Sequence, residues 1–65
     1  MIISSGTEKV AVEIKASRRI QSSDITGLES IMKLDPQIKT GVIFSLQHHP
    51  TRITPKIINV PIWSL

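Results

Sequence analysis

Sixty-five residues make one small domain at most, and a chain of that length buries only about 60% of the surface its unfolded form exposes, so its stability alone is expected to be marginal. The absence of cysteine excludes disulfide staples and cysteine metal sites, while 40% hydrophobic and 20% charged residues exclude a disordered chain. Eight Lys and Arg against five Asp and Glu leave a net charge of +3, which attracts phosphate polyanions weakly and without specificity.

Twelve isoleucines carry most of the apolar content and favour strands packed by β-branched side chains. Met1-Ile2-Ile3 reads as a strand end, and Ser4-Ser5-Gly6-Thr7 as a turn, so the chain opens on a hairpin whose first arm is short. Lys9 to Ala16 alternates: Val10, Val12, Ile14 and Ala16 point one way, Ala11, Glu13 and Lys15 the other. This predicts a strand over 9–16 with one face on a core. Ser22-Ser23-Asp24 opens a helix, either serine serving as cap and Asp24 complementing the positive end of the dipole. Ile25, Leu28, Ile31 and Met32 then form one apolar stripe, and Asp35-Pro36 stops the helix at about 34. Gly27, inside this helix, reads as a close approach of helix to sheet, with a neutral surface glycine as the alternative.

Gly41 to Leu46 is nearly continuous in apolar residues, as in strands buried on both faces of parallel sheets. Strand, helix and buried strand make a βαβ unit. Ile57 to Ile62 predicts a last strand, and Pro61, which lacks a ladder donor, puts that strand at an edge or ends it there. The fold class is therefore α/β: a small mixed sheet with a βαβ unit, one domain over 1–65. One helix covers one face of a sheet whose central strand is apolar on both, which predicts association through the uncovered face or an edge strand, as a homodimer.

Glu13-Ile14-Lys15 is the sharpest local feature. Residues i and i+2 of a strand share a face about 6.5–7 Å apart, so the carboxylate can hold Mg²⁺ while the ammonium meets a phosphate or polarises a water. Metal-assisted phosphodiester cleavage also needs a further carboxylate. The alternative is a solvated strand face whose ion pair is worth about 0–1 kcal/mol. Arg18 and Arg19, with Lys15 and Lys9, are candidate nucleic-acid contacts, against a plainly solvated basic surface. His48-His49 reads as a loop pair, because neighbours in extended chain face opposite ways and no third ligand is near. Trp63 reads as an anchor, and Ser17 has no general base to make it a nucleophile.

Lys9 to Ser17, Arg18-Arg19-Ile20 and Ser23-Asp24-Ile25-x-Gly27-Leu28, followed by Gly41 to Phe44 and Val60-Pro61-Ile62-Trp63, resemble in order and spacing a nuclease-like family. It is the C-terminal PD-(D/E)XK-like domain of uncharacterised bacterial and archaeal AAA-type ATPases, a domain of unknown function. The resemblance spans about 1–63 and implies the C-terminal half of a restriction-endonuclease-like fold. In that superfamily a metal-binding Asp sits on the strand before the Glu-x-Lys strand. Here it would fall just before Met1, so a fragment of a larger domain is expected. By this likeness Glu13 and Lys15 are vestigial catalytic residues, and Glu13 is the one metal ligand carried over.

The expected function is therefore a non-catalytic nuclease-like domain serving as an interaction or structural module, with no cofactor. The alternatives are a Mg²⁺-dependent nuclease completed by another chain, and an unrelated small α/β binding module. No apolar run approaches the roughly 20 residues that span a bilayer, and the opening residues lack the pattern of a signal peptide. A cytoplasmic chain without membrane contact is expected.

Overall fold

The computed structural model describes residues 1–6 and 8–64. The chain forms β1 (Ile2–Ser5), β2 (Glu8–Ile14), α1 (Ser22–Leu34), β3 (Ile38–Ser45), β4 (Thr51–Thr54), β5 (Ile57–Pro61) and a closing 3₁₀ turn, Ile62–Ser64. The five strands make one mixed sheet in the order β1-β2-β3-β5-β4. β1 and β2 form the opening hairpin, antiparallel, with Gly6 at φ 63° where other residues would be strained. β2 and β3 run parallel on either side of the α1 crossover, and β3 and β5 are parallel as well.

The helix spans the residues that the capping and apolar pattern predict, but its N-cap is Gln21 rather than a serine. Asp24 reaches back and accepts the Gln21 backbone N–H at 2.8 Å, which satisfies a donor that the helix itself leaves without a partner. Pro61 ends β5 as expected. It does not mark a sheet edge, because β4, a strand the sequence pattern did not predict, pairs antiparallel with β5 and takes the edge itself. β4 is short, polar at Thr51, Arg52 and Thr54, and bracketed by Pro50 and Pro55, so its alternation is too brief to register.

Strand register decides which side chains meet the helix. Ala11 pairs with Gly41 and Gly41 with Ile57, while Glu13, Ile43 and Asn59 form the next row on the same face. Leu28 of α1 packs there with Ala11, Ile38, Ile43 and Ile57 as a buried cluster, flanked by Ile20, Ile25, Ile31, Met32 and Ile53. Burying one such aliphatic side chain is worth about 1.5–3 kcal/mol, so this cluster carries most of the folding drive. The close approach of helix to sheet occurs at Gly41, not at Gly27. A Cβ on Gly41 would lie 2.8 Å from Leu28 Cδ2 and 3.2 Å from Ile57 Cγ1, whereas a Cβ on Gly27 meets nothing within 4 Å. Gly27 is therefore the surface glycine of the alternative reading, since the helix turns that side to solvent.

The other face carries Ile3 of β1, Val10, Val12 and Ile14 of β2, Val42 and Phe44 of β3, and Ile58 and Val60 of β5, aligned by the same registers. No described element lies across it. Ile3 and Ile14 are 51% and 55% exposed, while Val12, flanked across the strands by Met1 and Val42, is 5% exposed. The clean alternation of β2 thus points its larger apolar side chains to the open face and small Ala11 to the helix.

Candidate functional site

Glu13 and Lys15 lie at the C-terminal end of β2 and on the helix side of the sheet, the shared face that their spacing predicts. Their surroundings separate them. Lys15 Nζ donates to Asp24 Oδ1 at 3.3 Å, with side chains 29% and 15% exposed. Its backbone N–H donates to the Phe44 carbonyl at 2.7 Å, which extends the β2–β3 ladder by one rung. The backbone N–H of Gln21, aided by the Lys15 ammonium, holds the Asp24 carboxyl below the usual carboxylate range against the opposing effect of burial. Asp24 thus caps the helix and ties its first turn to β2. The Glu13 side chain is exposed and forms no hydrogen bond or ion pair among the described residues.

A second ion pair mirrors the first. Lys9, at the other end of β2, donates to Asp35 Oδ2 at 2.6 Å just past the last turn of α1. This contact, with the Gln37 N–H on the other carboxylate oxygen, holds Asp35 below its ordinary range. β2 and α1 run antiparallel, so Lys9 and Lys15, on one strand face, clasp the C-terminal and N-terminal ends of one helix. The Lys15 of the Glu-x-Lys motif is therefore occupied as half of a matched pair of clasps.

Metal chemistry at Glu13 needs another hard oxygen ligand beside it. Met1 pairs with Val12 through reciprocal backbone bonds, Val12 N–H to Met1 O at 2.7 Å and the Met1 amine to Val12 O at 2.9 Å. Among the described residues no three of His, Asp and Glu gather at a spacing that would hold a metal ion.

The fully buried polar pair at this end of the sheet is one the sequence pattern did not single out. Ser45 and Asn59, both fully buried on the helix face of β3 and β5, are joined by a hydrogen bond from the Ser45 hydroxyl to Asn59 Oδ1. Asn59 Nδ2 donates to Gln47 Oε1 at 2.8 Å and to the His49 carbonyl at 3.2 Å. Gln47 Nε2 in turn donates to the Arg18 carbonyl at 2.9 Å, and the Leu46 N–H to the Ser17 carbonyl at 3.0 Å. No buried side-chain polar atom among the described residues is left without a partner. The carboxyl ends of parallel strands are where open α/β sheets place ligands. Here that crevice is filled by side chains that satisfy one another and pin two loops. An Asn inside Ile57-Ile58-Asn59-Val60 was the available signal, because a buried polar side chain requires partners.

Arg18 and Arg19 are exposed on the first of these loops, and His48 and His49 on the second. The His48 ring lies 5.7 Å from that of Trp63, tilted by 46°. Trp63, 54% exposed, is an edge anchor for that loop. Away from this end, an open cavity of about 480 Å³ lies between α1 and the β4–β5 turn, lined by Lys33, Lys39 and Lys56 over Met32, Ile38 and Ile57. Glu29 shares its wall. Among the described residues, no helix is long and apolar enough to cross a membrane. Compared with family models, with curated proteins and with solved structures, the chain finds no match in any of the three.

Proposed function

We propose that this chain is a non-catalytic module on a nuclease-like α/β sheet, and that it works by association. The observation that carries the reading is the Lys15–Asp24 clasp. A lysine poised for phosphodiester cleavage must offer its ammonium to phosphate or water, whereas this one holds the helix that covers the sheet. Glu13, alone and exposed, supplies one hard ligand, and Mg²⁺ is ordinarily held by one or two carboxylates together with substrate phosphates and waters. The antiparallel hairpin followed by a parallel crossover is in keeping with the nuclease-like resemblance. The exposed Arg18 and Arg19 give a salt-sensitive attraction to nucleic acid without base readout, and the expected setting is the cytoplasm.

The test is incubation of plasmid and linear DNA with the protein in Mg²⁺ or Mn²⁺. No cleavage is expected. Metal-dependent cleavage that Glu13→Ala abolishes would favour instead the second reading, a Mg²⁺-dependent nuclease completed by another chain.

A further inference from the structure

The open face of the sheet demands an occupant. Its rows are apolar from strand to strand: Val12, Val42 and Ile58 in one, Ile14, Phe44 and Val60 in the next. Of the charged residues on the described strands, two fall on this side by alternation, Glu8 and Arg52, at the start of β2 and on edge strand β4. The Arg52 guanidinium is turned back to the Pro55 carbonyl at 3.1 Å, which leaves the middle of the face free of charge. A monomer rarely exposes a contiguous apolar patch above a few hundred Å².

We infer that this face binds a second copy of the chain, giving a two-fold dimer in which two sheets stack between two outer helices. Size favours this occupant. Five strands about 4.8 Å apart, with rows covering about 18 Å, make a plane of about 430 Å². Two such planes pressed together remove about 900 Å² before side-chain relief is counted, close to the roughly 1,000 Å² that marks a specific interface. Shape favours it too. A face of alternating β-branched side chains is complementary to itself at the roughly 10 Å spacing of stacked sheets, and one self-complementary patch covers both copies at once. A membrane surface would want a basic rim around the apolar centre. The exposed Arg18 and Arg19 sit at one end, Arg52 on the edge strand is turned back to the Pro55 carbonyl, and Glu8 lies on the margin.

The inference rests on the association reading above and names its partner. Sedimentation equilibrium of the 65-residue chain at micromolar concentration should give the mass of two chains, and a hundredfold dilution should lower Tm by about 5–10 °C. In the same sample a soluble spin label should spare the methyl groups of Ile14, Val42 and Ile58 and broaden those of Thr26 and Leu34. Phe44→Glu should abolish the dimer. Should that variant fail to fold, the spin-label pattern of the unaltered chain decides alone. A cooperatively folding monomer would overturn the inference, as would a dimer whose open-face methyls are broadened, which would mean edge-strand pairing. Binding to vesicles or another protein by a chain that stays monomeric alone would overturn it as well. Failure of the non-catalytic reading would show elsewhere, as metal-dependent cleavage.

Discussion

On the helix side of the sheet, small residues and a tight glycine let α1 settle onto β2 and β3, two lysines clasp the helix ends, and the polar residues that go under are satisfied by each other. On the open side the same strands carry larger β-branched and aromatic side chains, yet no described element covers them. The open face is the more apolar of the two, since Glu13, Ser45 and Asn59 all fall on the helix side. What also differs is whether the chain supplies a cover. This fold holds its helix by specific devices (a glycine gap, two ion pairs, a polar network) and leaves the bulk of its β-branched surface to whatever lies opposite.

The covered face is most vulnerable at Leu28. Leu28→Ala empties the centre of the covered cluster and should cost about 2–5 kcal/mol, enough to unfold most of a domain this small. Far-ultraviolet circular dichroism at 25 °C should show lost helix, and a full native signal would mean that the helix is not held by this cluster. Gly41→Ala tests the gap from the sheet side. Its Cβ would press on Leu28 and Ile57, and a cost of about 1–3 kcal/mol in urea unfolding is expected. If Gly41→Ala proves neutral, the contact is looser than described.

Gly27→Ala should act in the opposite direction and stabilise by about 1 kcal/mol, because the glycine sits on an exposed helix turn with free space around it. Thermal melts of the two glycine variants side by side would sharpen the contrast between a glycine that packs and one that does not. An open-face truncation such as Ile14→Ala should change stability by less than about 0.5 kcal/mol at high dilution and visibly more at high concentration. Equal effects at both concentrations would erase the distinction between the faces.

The smallest effect belongs to the two clasps and depends on pH. Asp24 and Asp35 both titrate below their ordinary value of 3.8 in the folded chain. A carboxylate with a depressed folded pKa binds protons more readily when unfolded. Its contribution is therefore complete well above 3.8 and is lost as pH falls from there through the lower folded value. Stability should be flat through neutral pH and decline below about pH 4. Asp24→Asn and Asp35→Asn should each flatten that acid limb, and an unchanged acid limb in the double variant would show that the clasps contribute nothing.

Much of the fold was legible along the chain because its signals are local. The apolar stripe and the Asp-Pro stop define α1, the alternation defines β2, and the apolar run defines β3, each through spacing that neighbouring residues impose on one another. β4 escaped because four residues between two prolines give no period to read. The N-cap shifted to Gln21 because the reach of Asp24 back to the chain, not the identity of the serines, decides where the first turn closes. At the candidate site the sequence placed Glu13 and Lys15 on one face, since residues two apart on a strand must share it. It was silent on Asp24 as the partner of Lys15, because eight residues of loop and helix separate them and only packing brings them together.

From its sequence alone, then, this protein is an α/β chain with a hairpin, one helix and a strand apolar on both faces, for these follow from dihedral preference and the periods of 2 and 3.6 residues. Only the tertiary structure decided which face of β2 the helix covers, that Gly41 rather than Gly27 makes the close approach, and that Lys15 is spent on holding Asp24. Those outcomes depend on register and on distances between segments far apart in the chain, which no local pattern encodes.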